Sequence, residues 1–216
     1  MVTDRQRYHA EVAVLGYDEA MSSSPREVAK AQRRERYLEA AASLIAERGF
    51  SGVSIDLLGS AVGVSGPALY RHFSSKEDIL TQLLVGASER LLAGYEAIIA
   101  EGLSDEETLR RLVRFHLDFA TNERDVILAQ ERELVNLPEE PRRRVRSLQR
   151  RYVNGWVQIT ERLMPDASRA DLTVRLHAVF GLLNSTPYSG SLASPSRVRD
   201  ILADLALSAL FTADSA

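Results

Sequence analysis

The apolar positions of the chain recur at three- and four-residue spacings, and no period-2 run of β-branched residues bounded by hairpin turns is readable. A first long helix is predicted from about Arg26 to Arg48, with Leu38, Ala41, Ala42 and Ile45 on one face and Gly49 as a left-handed C-cap. Phe50 then follows as an apolar plug. Ser54 is set to cap a short second helix that gathers Ile55, Leu58, Ala61 and Val62 on one face and ends at Gly63. Ser65 is placed to cap a third, with Pro67 tolerated in its first turn and Leu69 and Phe73 facing inward. Ser75 and Asp78 have capping-box spacing for a long fourth helix that reaches about Glu101. Further starts fall at Ser104 with Glu107, at the turn from Pro138 to Pro141, at Ser168 with Asp171, and at Ser194 followed by Pro195. The predicted fold is therefore all-α with about nine helices. The Ser, Pro and Gly content of Asn184 to Ser196 makes it the longest internal loop.

Two short helices joined by a glycine-containing turn are what a major-groove reader needs, one bracing against the backbone and the next inserting. Leu58, Val64, Leu69 and Phe73 would lock the pair from inside, leaving Gly66, Pro67, Ala68, Tyr70, Arg71 and His72 facing outward. Arg71 can pair bidentately with guanine and Ala68 can meet a thymine methyl. Tyr70, His72 and Lys76 can donate to phosphates. On pattern alone, an ordinary αα-corner with a polar outer face fits as well.

The stretch GFSGVSIDLLGSAVGVSGPALYRHFSSKEDIL, Gly49 to Leu80, resembles the signature of TetR/AcrR regulators over its whole length, including GVS, LYRHF and SKE. The resemblance implies phosphate contacts at Ser54 and Lys76, with Ser65 opening the recognition helix. It implies that Pro67, Ala68, Tyr70, Arg71 and His72 lie in or beside the major groove, and that basic residues ahead of the first helix reach DNA too; Arg33 and Arg34 are further candidate DNA contacts. One departure is Gly59, where the family usually carries alanine; by helix propensity alone it softens the second helix by about 1 kcal/mol. The implied organisation is an N-terminal extension over residues 1–25, a three-helix DNA-binding domain over 26–80, and a larger helical ligand-binding and dimerisation domain over 81–216. The extension exceeds the usual family arm, and Met21 is a second plausible start, with SSSP as lead-in.

Net charge is −3, which points away from nucleic acid until it is divided along the chain. Arg26 to Lys76 holds 8 basic and 5 acidic residues, so the positive charge sits on the helix-turn-helix and the rest is acidic. The chain has no cysteine, which excludes disulfides, thiolate zinc sites and cysteine nucleophiles. It shows neither a secretory signal nor an apolar stretch long enough to span a bilayer, so a cytoplasmic protein without membrane attachment is expected.

The body is expected to supply a dimer interface and an effector site. By family analogy the last two helices, about Ser168 to Thr186 and Ser194 to Thr212, pair with their symmetry mates in a homodimer. Leu172, Val174, Leu176, Val179, Phe180, Leu182 and Leu183 leave the first of them little polar surface. Val198, Ile201, Leu202, Leu205, Leu207, Leu210 and Phe211 do the same for the second. Candidate effector-lining residues are Phe115, His116, Phe119, Tyr152, Trp156, His177, Phe180, Asn184 and Tyr188, with Trp156 one turn after Tyr152. Six arginines between Arg142 and Arg151 precede that aromatic pair. They read either as a solvated basic face or as an approach for phosphates, with Arg150 and Arg151 holding the nucleotide of an acyl-CoA.

No cofactor and no metal is implied. An enzyme is the first rival, but the chain has no Gly-x-Ser-x-Gly elbow, Walker loop or dinucleotide glycine pattern. His116 and His177 meeting in space would be its one metal option. A KH-type RNA module is the second, since Gly63 to Gly66 has the Gly-x-x-Gly spacing, but that fold needs a sheet. The reading that results is a double-stranded DNA operator bound by a homodimer, most simply as a repressor, and released by a small lipophilic or acyl-CoA-like effector.

Overall fold

A computed structural model describes residues 24–189 and 192–211, so the N-terminal extension up to residue 23 and Thr212 lie outside the described residues. Among the described residues there is no strand. The helices are α1 (Pro25–Arg48), α2 (Ile55–Ala61), α3 (Gly66–Leu69), α4 (Lys76–Ala100), α5 (Asp105–Asn122), α6 (Arg124–Glu133), α7 (Glu139–Leu163), α8 (Arg169–Leu183), α9 (Thr186–Ser189) and α10 (Pro195–Phe211). A 3₁₀ turn, Leu134–Asn136, follows α6. Among the described residues eight of these helices match starts read from the sequence; α6 had no assigned start, and α9 is a single turn inside the segment read as loop. Its Thr186 hydroxyl donates to the Ala120 carbonyl at 2.7 Å, a tertiary bond that composition does not reveal.

The chain divides into two compact units. The first holds α1 to α3, α4 as far as Ser88, and Asp125–Arg146. Ser24 opens α1 with a full capping box: its hydroxyl accepts from Glu27 N–H, and the Glu27 carboxylate accepts from Ser24 N–H at 2.8 Å. Gly49 ends α1 at φ 72°, but its ψ of 159° lies outside the left-handed helical well, so the chain leaves extended rather than through the expected cap. Ser54 caps α2 as expected, accepting from Leu57 N–H at 3.1 Å. Ser65 precedes α3 without a side-chain cap bond, and α3 is one turn long. The box opening α4 is shared: Asp78 N–H donates to Ser75 Oγ at 3.1 Å, while the Asp78 carboxylate reaches back to Ser74 N–H at 2.8 Å.

Leu58, Leu69 and Phe73 form the expected core of the helix-turn-helix, each 2% exposed, whereas Val64 is only half-buried. On α2 the core face is Leu58 and Gly59; Ala61 is exposed, and Ile55 and Val62 are half-buried. Gly59 explains the difference. A Cβ built there would stand 2.7 Å from the Val64 carbonyl oxygen and 2.9 Å from Gly66 N, both backbone atoms of the turn. The same turn is closed by Val64 N–H donating to the Gly59 carbonyl at 2.9 Å. Gly66 is likewise buried, with Asp56 where its side chain would be, so it is not on the outward face.

The second unit comprises Glu89–Arg124 and residues 147–211. Here α5 packs on α8 and α10, with Leu109, Leu112, Leu172, Leu176, Leu183 and Leu210 fully buried. Two helix-interior glycines admit rings from neighbouring helices: Gly94 faces Phe115 and Gly155 faces Tyr95, each close enough that any Cβ would overlap the ring. The outer faces of α8 and α10 keep Val174, Ile201 and Leu205 exposed.

Gly59→Ala therefore has a determinable sign. Helix propensity would add about 1 kcal/mol, but the new methyl would collide with backbone that has no rotamer by which to yield. We expect a net loss of about 1–2 kcal/mol in denaturant unfolding of the full chain; a rise in stability would contradict the close approach.

Candidate functional site

The first candidate site lies at the end of the helix-turn-helix. Pro67 and Arg71 are exposed, Tyr70 is 56% exposed and Ala68 is half-buried, so the residues expected at a major groove share an accessible segment. His72 differs from expectation: it is half-buried, its ring edge-on to Tyr37 with centroids 5.1 Å apart. Burial, and then the charges of Arg33, Lys30, Arg34 and Arg71, push its imidazole below the usual histidine range. These cations belong to α1 and to the recognition segment. Arg34 also sits over the Phe73 ring at 5.8 Å, and Arg33 donates to the Ala29 carbonyl at 3.2 Å. Lys76 donates to the Phe50 carbonyl at 3.0 Å and lies 4.2 Å from that ring's centre. It is thus fastened to the plug that follows α1, where the sequence suggested only a phosphate donor.

Arg132 of α6, in the same unit, donates to the Ala46 carbonyl at 3.2 Å, and the buried Glu133 accepts from Asn136. The Arg132 bond ties Asp125–Arg146 to the end of α1, a carbonyl cap supplied from another helix. Tyr37 and Lys30 are the site neighbours that sequence reasoning missed; neither stands out in a helix whose polar face is rich in charge.

The second candidate site is a buried polar and aromatic cluster. His116 of α5 lies between Tyr152 of α7, whose hydroxyl is 3.1 Å from Nδ1, and Asn184, whose Oδ1 is 3.0 Å from Nε2. An amide oxygen only accepts, so Nε2 carries the proton and Nδ1 accepts from the Tyr152 hydroxyl. Trp156 and Phe180 enclose the ring, with centroids 6.3 and 5.3 Å from that of His116, and Tyr95 stands edge-on to Tyr152 at 6.1 Å. Five of the expected residues are thus brought together: His116, Tyr152, Trp156, Phe180 and Asn184. Phe119 is fully buried on the same helix and Phe115 packs on Gly94. His177 is exposed on α8 and Tyr188 is 60% exposed, so neither joins the cluster. With His177 outside, the two histidines do not meet, and the described residues contain no group of three or more metal-ligating side chains. Arg150 and Arg151 are exposed, and Arg151 donates to Glu96 at 3.0 Å.

Trp156 is fully buried, yet no described group accepts from its indole N–H. An unmade bond at a buried donor costs about 1–3 kcal/mol. Tyr95 was the member missed, and Gly155 was the available signal, since a glycine in mid-helix costs stability unless something packs against it.

Burial holds the His116 imidazole down at about 4, the bond from Nε2 to Asn184 opposing this only in part. Below its usual value near 6.5, the unfolded chain takes up a proton that the folded ring refuses. Stability is full above that value and falls as pH drops towards 4, by roughly 3 kcal/mol from this group. Melting of the wild-type chain is expected to show that acid slope and His116→Gln to flatten it; equal slopes would place the acid sensitivity elsewhere.

The profile of bacterial regulatory proteins of the tetR family matches residues 38–83, and the tetracyclin repressor-like C-terminal domain matches residues 102–210. The transcriptional repressor KstR2 of Rhodococcus jostii is 30% identical over 74% of this chain and 78% of its own. The fatty acid metabolism regulator protein of Bacillus subtilis is 26% identical over 72% of this chain and 83% of its own. In structure, the TetR family regulator PfmR of Thermus thermophilus superposes with a TM-score of 0.71 at 27% identity, over 81% of this chain and 97% of the other. With a C-terminal profile spanning half of the chain and a relative at this identity and coverage, the chain belongs to the TetR family of helix-turn-helix transcriptional regulators.

Proposed function

We propose that this chain is a repressor that grips a palindromic operator as a homodimer and releases it when a small lipophilic molecule occupies the cluster around His116. The observation that carries the DNA half is the accessible Pro67–Arg71 segment, with Arg34 of α1 over the adjoining Phe73 ring at 5.8 Å. Phosphate contacts supply affinity and base contacts supply sequence, so the α1 cations serve the first and Arg71 the second. In this reading residues 26–80 bind DNA and residues 81–216 bind effector and partner. The protein works in the cytoplasm, where its operator is. The effector half is supported by the enclosed cluster and by likeness to a fatty acid metabolism regulator. An acyl-CoA is the specific candidate, its nucleotide lying towards Arg150 and Arg151.

Dimerisation follows from the exposed Val174, Ile201 and Leu205 on α8 and α10, apolar surface that a symmetry mate would bury. A dimer enters successive major grooves only if its two recognition segments stand about 34 Å apart. The α4 helix starts at Lys76, directly after the recognition segment, and continues to Ala100. A shift of α4 on effector binding would change that spacing and weaken both half-site contacts together.

Selection of fragments from the parent genome by the purified chain is expected to recover an inverted repeat. On it, Arg71→Ala should cost about 1–3 kcal/mol and relax preference at one base pair per half-site; uniform weakening across sequences would instead make Arg71 a phosphate contact. Val174→Asp combined with Leu205→Asp should yield monomers in sedimentation at micromolar concentration, and an unchanged dimer would move the interface away from α8 and α10. Calorimetry with acyl-CoA esters should show binding that weakens in an Arg150→Ala, Arg151→Ala double variant, and unchanged binding would remove the nucleotide from those arginines.

A further inference from the structure

Within the His116 cluster, the hydrogen-bonding capacity is used unevenly. The His116 Nε2–H is given to Asn184 Oδ1, and the Tyr152 hydroxyl is given to His116 Nδ1. The indole N–H of Trp156, wholly buried among the rings of His116, Tyr152 and Phe180, is given to none of them. An indole N–H can only donate, so whatever completes it brings an acceptor.

The cluster also limits the charge of that acceptor. Its own members include no cationic side chain; of the arginines of α7 beside it, Arg151 is exposed and paired with Glu96, and Arg162, near Tyr95, is paired with Asp105. His116 cannot stand in as a counter-ion at neutral pH, because burial keeps its ring unprotonated down to about 4. A carboxylate placed here would lose its hydration without a counter-charge. An alcohol would bring a proton of its own that also needs an acceptor, whereas a carbonyl oxygen only accepts.

We infer that Trp156 reads the carbonyl oxygen of an uncharged ketone, ester or thioester group in the effector, and that the enclosing rings hold the apolar part next to it. This rests on the reading of the cluster as the effector site and adds the group recognised there. It sets carbonyl-bearing lipids apart from free fatty acids of the same length.

Trp156 is the single tryptophan of the chain, so the ¹⁵N-labelled full-length protein has one indole N–H resonance. The probes are 2-decanone, methyl decanoate, decanoyl-CoA and decanoate, at pH 8, with calorimetry in parallel. The carbonyl probes should move the indole proton downfield and bind roughly tenfold or more tightly than decanoate. Trp156→Phe, checked for folding by circular dichroism, should lose roughly tenfold for methyl decanoate; if it does not fold, the wild-type resonance decides. Decanoate binding as tightly as methyl decanoate would overturn the inference and leave the effector site standing. So would binding that leaves the indole resonance unmoved, or binding of decanoyl-CoA alone, which would put recognition in the nucleotide. Failure of every probe, in both measurements, would overturn the inference together with the site.

Discussion

The DNA-binding half of the molecule depends on one backbone approach. At Gly59 the second helix touches the turn that follows it, with the Val64 carbonyl and the Gly66 amide where a side chain would otherwise be. That contact sets the angle at which the short α3 leaves the turn, and the exposure of Pro67, Tyr70 and Arg71 follows from it. Leu58, Leu69 and Phe73 add the apolar burial, but side chains can repack, whereas two backbones this close have one geometry. The cations of α1 are then brought to the same place by the packing of Tyr37 on His72.

The body is organised around the opposite problem, polar groups that must be buried. Both ring nitrogens of His116 are matched, Nδ1 to the Tyr152 hydroxyl and Nε2 to Asn184 Oδ1. Trp156 is the member left out, and the energetic cost of that omission is the kind a protein keeps where something else is to bind. Gly94 and Gly155 admit the rings of Phe115 and Tyr95, so the cluster is walled by aromatic faces at close range.

Much of this was legible from the sequence, for reasons particular to each element. The helix-turn-helix was readable because its signals are local: Ser54 caps within three residues, and Leu69 and Phe73 lie one turn apart. The Ser104, Ser168 and Ser194 starts were readable for the same reason. Gly59 was misjudged because propensity sees only the helix a residue belongs to and not the turn folded against it. His177 was misplaced because α8 is apolar on both faces, so periodicity cannot say which one looks inward; Leu172, Leu176 and Val179 do, and His177 and Val174 do not. The bond from Lys76 to the Phe50 carbonyl spans 26 positions, beyond any local pattern. The pairing of His116 with Asn184, 68 positions apart, was anticipated only as membership of one residue set, and the vacant donor of Trp156 not at all.

The account joins the two halves by linkage, which makes it directly measurable. If effector binding weakens operator binding by some factor, operator binding must weaken effector binding by the same factor. Calorimetric titration of one carbonyl-bearing effector into the free dimer, and into the dimer saturated with its selected operator, measures this without assumptions about the route. The account predicts weaker effector binding in the operator complex, by the ratio found for operator release. Equal affinity for the two forms would contradict it.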